Sequence, residues 1–417
     1  MIVSFKKYLF GTLILLLISF LYSGVLVQAQ DHSDAPTENL HAEEISHESE
    51  NTSHSEGNQN DQAIHHDGEH QSAAASEGHD EHTEEEFNAA EVILHHVKDN
   101  HEWHILTTKD GHHVSVPLPV ILLSKHSGFH IFFSNKLAHG HNYKGFELAH
   151  GSYMVPGKDG DLKEKALEGK IIEVDKEGHL IEAGLPLDFS ITKNVFMMFL
   201  AMVILLLVFL SLARSYKKTG VAAPKGLQGF LEPIIVFIED DVAKPNIGEN
   251  KYARFMPYLL TVFFFILALN LLGLIPFFPF GANVTGNIAL TLVLATFTLL
   301  ITNFNGNKGY WRHIFAPPGV PVWLLPIMIP VELLGIITKP FALMIRLFAN
   351  ITAGHIIILS LISLIFIFKS VFMAVPSLVM VIFMDMIELL VAFLQAYIFT
   401  LLSALFIGLA MPEHHHE

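Results

Sequence analysis

The stretch Lys339 to His355, KPFALMIRLFANITAGH, decides the fold. It sets Arg346 among Leu343, Met344, Ile345, Leu347 and Phe348, within apolar sequence running from about Val322 to Ile367. An arginine cannot shed its proton, and burying one at bilayer depth costs from about 3 to more than 10 kcal/mol. Two readings are open: a side chain that snorkels to the headgroups or pairs structurally with a neighbour, and one retained to handle ions. At about 100° per residue, Asn350, Ala353 and Ile357 share the face of Arg346, whereas His355 falls on the opposite face. The apolar run of about 45 residues exceeds the ~20 that span a bilayer, so the helix must tilt strongly or break, with Pro326, Pro330 and Pro340 as candidate breaks. A second run, Pro376 to Ala410, would reach ~50 Å as a helix against ~30 Å of hydrocarbon.

Within that second run lies Asp385 to Phe399, DMIELLVAFLQAYIF. Glu388 and Gln395 are seven apart, nearly two turns, and share a face; Asp385 lies about 60° away. With RLFAN and AGH, and with Pro340 and Glu332 upstream, these motifs resemble the a subunit of the F-type ATP synthase, the stator half of its proton channel. The resemblance covers about Asp188 to Ala410. It implies two long tilted helices that curve around a ring of c subunits, and no catalytic site in the chain itself. It also implies a b-subunit peripheral stalk and the remaining synthase subunits as partners, with the lipid bilayer around them. No cofactor and no metal are expected.

The roles follow from the same resemblance. Each c subunit carries a carboxylate that is neutral facing lipid and ionised beside the stator. A fixed cation lowers the pKa of such an acid, and Arg346 is that cation; it also separates two aqueous half-channels by repelling hydronium. Asn350 and Gln395 match the family's amides and are expected to orient the guanidinium. His355 and Glu388 match a His/carboxylate pair in the entry half-channel, in the reverse assignment from some members; the other reading is a buried structural ion pair. Asp385 is expected at the channel mouth and Glu332 near the cytoplasmic exit. Asn270 matches a family asparagine, but Gly273 stands where some members carry an acid.

Outside this half the chain changes character. Of 417 residues, 51% are hydrophobic and the net charge is −16, yet residues 1–189 hold 12 Lys+Arg against 31 Asp+Glu, and residues 190–417 hold 13 against 10. The acidity therefore belongs to the N-terminal part, and the absence of a basic patch excludes nucleic acid. With no cysteine, disulfides and thiolate metal sites are excluded.

Lys6 and Lys7 before the apolar run Tyr8 to Leu21, with Val27-Gln28-Ala29 behind it, read as a signal peptide over residues 1–29; an uncleaved anchor helix is the alternative. Residues 30–88, rich in His, Glu, Ser, Asn and Gln, are too polar to fold and form a disordered tether. Residues 89–187 alternate apolar and polar positions, as in EWHILTTKDGHHVSVPLPVILL, GFHIFFSN and KIIEVDKEGHLIEAG. They predict a small β-rich element of about four strands with a hairpin at Lys109-Asp110-Gly111. The adjacent pairs His95/His96 and His112/His113 point to opposite sides of a strand, which disfavours chelation.

Residues 188–417 form the membrane domain. Spans are predicted at Val195–Ala213, Phe255–Phe277 and Val284–Thr302, followed by the two long runs, with a surface helix between Leu227 and Asn250. Arg214, Lys217, Lys218 and Lys225 mark the cytoplasmic end of the first span, as Lys308 and Arg312 do for the third. The expected protein is thus an all-α polytopic membrane protein of five to six membrane helices, two of them long and tilted, with an exported extension, disordered and then β-rich. It sits in a bacterial inner (plasma) membrane, with the extension periplasmic and the C-terminus cytoplasmic. Two rival readings, a metal transporter and a structural anchor for the extension, respectively lack converging intramembrane ligands and leave Arg346 unexplained.

Overall fold

The computed structural model describes residue 93 and residues 97–411, apart from 108–112, 150, 157–161, 168, 176–179, 182–184, 220–224, 276–278 and 318. The expected signal peptide, the tether, His95/His96 and His112 lie outside the described residues.

The β-rich part holds nine short strands in four small sheets among the described residues, rather than about four strands. The hairpin around Lys109-Asp110-Gly111 pairs β1 (Glu102–Thr107) with β2 (His113–Pro117). The run HVSVPLPVILLS is not one strand. It changes partners at Leu118, and β3 (Pro119–Ser124) turns back onto β4 (Gly128–Phe133). Pro117 and Pro119 bring no N–H to a continuous ladder, and the Leu118 N–H donates instead to Ser134 Oγ, 3.0 Å away. β5 (Phe146–Leu148) pairs with β8 (Ile171–Glu173), and β6 (Ser152–Pro156) with β7 (Leu162–Ala166). β9 (Leu187–Asp188) adds to the far edge of β3.

α1 (Lys193–Thr219) follows at once, starting two residues before the predicted span, with the Asp99 carboxylate meeting its first turn. The surface segment forms α2 (Leu227–Phe237), a π-helical stretch Ile238–Ala243 and α3 (Lys244–Ile247). Then come α4 (Tyr252–Leu274), α5 (Ile288–Phe304) and α6 (Lys308–Phe315), the last bent 102° from α5. α5 starts later than its apolar run suggests because Asn287 caps it, accepting from the Ala289 N–H at 3.0 Å, so Val284–Gly286 belong to a loop.

α7 (Leu325–Ile367) and α8 (Val371–Leu409) are unbroken. Pro326 sits in the first turn of α7, where no N–H is needed, and Pro330 and Pro340 are carried inside the helix without ending it. The candidate breaks are therefore not breaks. At 1.5 Å per residue α7 is ~65 Å long, so inclination to the membrane is what lets it fit. Among the described residues four helices are long and apolar enough to cross a membrane, and five when the bent α5–α6 pair is one span.

The core of the helical half gathers around α4, whose central stretch is 78% buried, against 11% for α7 and 22% for α8. Polar side chains fasten it: Tyr258 Oη meets Thr298 Oγ1 at 2.8 Å, which meets Ser403 Oγ at 3.2 Å, joining α4, α5 and α8. Gly408 permits the end of α8 to press on the surface segment, since a Cβ there would fall 1.8 Å from the Asn246 carbonyl oxygen.

Candidate functional site

α7 and α8 form an antiparallel hairpin across the short Phe368–Ser370 connection. Three cross-bonds run in opposite order along the two helices. Asn350 Nδ2 donates to Gln395 Oε1 at 2.9 Å, His355 Nδ1 meets Glu388 Oε1 at 2.9 Å, and Ser377 Oγ donates to the Leu361 carbonyl. The seven-residue spacing of Glu388 and Gln395 puts both on the face of α8 that meets α7, in two polar layers ~10 Å apart along the axis.

Arg346 lies about one turn beyond the Asn350–Gln395 layer, on the exposed face of α7 among exposed Phe341 and Ile345. Among the described residues its guanidinium has no hydrogen bond or ion pair. The two amides bind each other rather than the arginine, and Gln395 Nε2, fully buried, is left without a partner. His355 faces away from Arg346, as the helix period requires, with 12% of its side chain exposed against 5% for Glu388. Asp385 is exposed, one turn before Glu388. Glu332 stands apart from all of these, half-buried near the start of α7.

Asn270, noted in the sequence as a family asparagine, and two polar groups that sequence reasoning left out complete the inner layer. Asn270 of α4 is buried, donating to the Ala392 carbonyl at 3.2 Å and accepting from Thr285 Oγ1 at 2.8 Å. Asn283 and Thr285 belong to the loop before α5, and with Asn270, His355 and Glu388 they line one narrow crevice. Asn283 is folded over Gly286, whose N–H donates to its Oδ1 at 3.0 Å, and its Nδ2 is buried without a protein partner. So is Glu388 Oε2. An unmet buried donor or acceptor costs about 1–3 kcal/mol, so an acceptor and a donor left over in one crevice set it apart from the packed core around it. The signal in the sequence was the polar run Asn283-Val284-Thr285-Gly286-Asn287 between two apolar spans. Gly354 admits the carboxylate: a Cβ there would lie 2.7 Å from Glu388 Oε1. Among the described residues no group of three or more His, Asp or Glu side chains is placed to hold a metal ion.

A polytopic membrane protein with a titratable pair between two long helices and a permanent cation outside them belongs to the class of ion-translocating membrane subunits. Residues 195–408 match the family model described as ATP synthase A chain, and residues 92–189 match one described as a domain of unknown function. The chain is 54% identical over 239 residues to ATP synthase subunit a 2 of Chlorobaculum tepidum, which covers 56% of this chain and 66% of that protein. It is 50% identical over 235 residues to ATP synthase subunit a of Chloroherpeton thalassium, covering 55% and 69%. Against ATP synthase subunit a of Anaeromyxobacter sp. it is 46% identical over 272 residues, covering 62% and 65%. The chain belongs to the ATP synthase A chain family: it is a proton-translocating, non-catalytic membrane subunit of an H+-transporting ATP synthase.

Proposed function

We propose that this chain forms two proton half-channels against a ring of c subunits, with Arg346 as the charge that separates them. The observation that carries the reading is an exposed guanidinium set beside exposed Phe341 and Ile345, without an anionic partner among the described residues. A permanent charge in that setting calls for a carboxylate from outside the chain, and a c-ring acid passing the α7–α8 face supplies one that is ionised beside the arginine and neutral in lipid. The low burial of α7 and α8 leaves the long surface such a ring needs.

In this reading the entry half-channel runs past Asp385 into the His355–Glu388 crevice, and Glu332 serves the exit. His355 and Glu388 exchange protons through water held by Asn283 and Asn270, and the Asn350–Gln395 bond stiffens the hairpin beside Arg346. The protein sits in a bacterial inner membrane with the β-rich part outside and the C-terminus inside; the exposed Arg214 and Lys217 at the end of α1 support this sidedness. A b-subunit stalk holds it against rotation.

The test is Arg346→Ala, assayed as ATP-driven acidification of inverted vesicles. Pumping is expected to vanish while the protein remains inserted. Arg346→Lys is expected to fail too, because an ammonium can lose its proton when desolvated. Normal pumping by the alanine variant would sink the reading.

A further inference from the structure

The sheet β4–β3–β9 has two faces of opposite character. Inward, Val120, Leu122 and Phe132 pack with Phe146 and Ile171 into a small core. Outward, Leu123, Phe129, Ile131, Phe133, Leu187 and Phe189 are between 39% and 63% exposed. The register makes this face continuous: Leu123 lies opposite both Phe129 and Leu187, Ile121 opposite Ile131, and Pro119 opposite Phe133. No polar side chain interrupts it. A contiguous apolar surface of this kind marks an interaction site.

What covers the face follows from where the sheet is tied. Beyond β9 the pairing continues, with the Phe189 N–H donating to the Ile121 carbonyl at 2.8 Å and the Ile191 N–H to the Pro119 carbonyl at 2.9 Å. Two residues later α1 begins. There the Lys193 N–H donates to the Asn100 carbonyl at 3.0 Å, and Asp99 accepts from Thr192 Oγ1 at 2.8 Å and from the Asn194 N–H at 3.1 Å. Trp103 of β1 packs edge-on against Phe196 in the first turn of α1, with ring centres 5.8 Å apart. The sheet is thus fastened to the mouth of a membrane helix and cannot swing away. Four residues of chain reach at most ~14 Å, so Phe189 stays within ~14 Å of Lys193 at the start of α1.

We propose that the outer face of the β4–β3–β9 sheet lies in the lipid bilayer interface beside the start of α1, as an interfacial anchor for the β-rich part. Aromatic and aliphatic side chains without hydrogen-bonding groups suit the boundary of headgroups and acyl chains, as they do on the apolar side of an interfacial helix. The inference needs only that α1 crosses the membrane, and is independent of the roles given to Arg346, His355 and Glu388.

The chain contains no cysteine, so single labels can be placed in the otherwise unaltered protein. Ile131→Cys, Phe133→Cys and, as a reference, His141→Cys would be labelled with an environment-sensitive fluorophore in the whole ATP synthase. The complex would be reconstituted in phosphatidylcholine and phosphatidylglycerol vesicles. All three positions are exposed, so the fold should tolerate the changes. Labels at 131 and 133 are expected to be blue-shifted, to lose most of their emission to nitroxide-labelled lipid and to resist aqueous iodide, with position 141 showing the reverse. Iodide quenching at 131 and 133 equal to that at 141 would place the face in water. Shielding from both quenchers would place it under another protein; either result overturns the proposal. Repeating the measurement in the Arg346→Ala enzyme should give the same pattern, which separates this outcome from that of the channel assignment.

Discussion

His101 with Asp188, where the β-rich part meets α1, and His355 with Glu388, between α7 and α8, are the same chemical pair in different surroundings. At the junction, His101 Nε2 meets Asp188 Oδ2 at 2.6 Å, and Asp188 Oδ1 accepts from the Ser190 N–H at 2.8 Å, so both carboxylate oxygens are used. Behind them Asp99 is likewise filled by Thr192 and Asn194. Between the long helices only Glu388 Oε1 is bonded, while Oε2 and the neighbouring Asn283 Nδ2 are buried without protein partners. A carboxylate with both oxygens held by protein fastens two elements together, although the side-chain oxygen of Asn194 beside it is buried without a partner. One with an oxygen left over is, in the reading proposed above, able to exchange a proton.

The strongest way to break this comparison is to replace His355 or Glu388 by an apolar residue. Stranding one partner of a buried charged pair costs roughly 3–5 kcal/mol, and even about 3 kcal/mol on the proton path slows it by roughly a hundredfold. Each single change is expected to reduce ATP-driven proton uptake by about that factor. The exchange His355→Glu with Glu388→His keeps one imidazole facing one carboxylate and should recover part of the flux. A double variant no better than the product of the single defects would show that the two residues do not share a path.

A finer cut is Gly354→Ala. The added methyl would crowd Glu388 Oε1 at 2.7 Å, and the obstacle is the far end of a flexible side chain, so the carboxylate moves and the helix stays. Alanine is the better helix former by about 1 kcal/mol, so thermal stability should hold or rise. Proton flux is expected to fall by about tenfold, which corresponds to about 1.4 kcal/mol, and Glu388→Asp in the same chain, one methylene shorter, should restore part of it. Unchanged flux in Gly354→Ala would mean that the position of the carboxylate is immaterial.

What the sequence made legible tracks the range of the physics involved. The opposed faces of Arg346 and His355, and the shared face of Glu388 and Gln395, are consequences of helix period alone, and the structure has them. The continuity of α7 through Pro330 and Pro340 was not legible, because a proline's local cost is offset by packing and bilayer constraints that a local pattern does not contain. Asn270, Thr285 and Asn283 converge only through tertiary contact, from positions that read as an apolar helix and a short turn. The β-rich part was undercounted for a related reason: β5 has three residues and β9 two, too few for alternation to register, and β7, LKEKA, is mostly charged.

The smallest expected effect lies at the junction and tests the other half of the comparison. Burial disfavours charge on His101, but the hydrogen bond and charge of Asp188, with Asp99 behind it, outweigh this and raise its pKa above the ordinary 6.5. Burial also pushes Asp188 upward, and the His101 bond and charge, with Ser190, bring it below the ordinary 3.8. A histidine raised in the folded state stabilises fully below its ordinary value and loses that contribution as pH rises through the raised one. A carboxylate lowered in the folded state stabilises above its ordinary value and loses its contribution as pH falls through the lowered one. The pair is therefore at full strength between about pH 4 and 6.5, weakening on the alkaline side as His101 discharges. Asp99, raised chiefly by burial, works against the junction once ionised, and Lys193 beside it partly compensates. Hydrogen exchange at the Lys193 and Asn194 amides, corrected for the intrinsic pH dependence, should lose protection by a few-fold between pH 6 and pH 9. His101→Asn should start from the lower protection and show little further change, while proton pumping stays near normal. If that variant instead pumped as poorly as the His355 variant, the junction pair would not be a structural latch, and satisfaction of lone pairs would no longer separate the two sites.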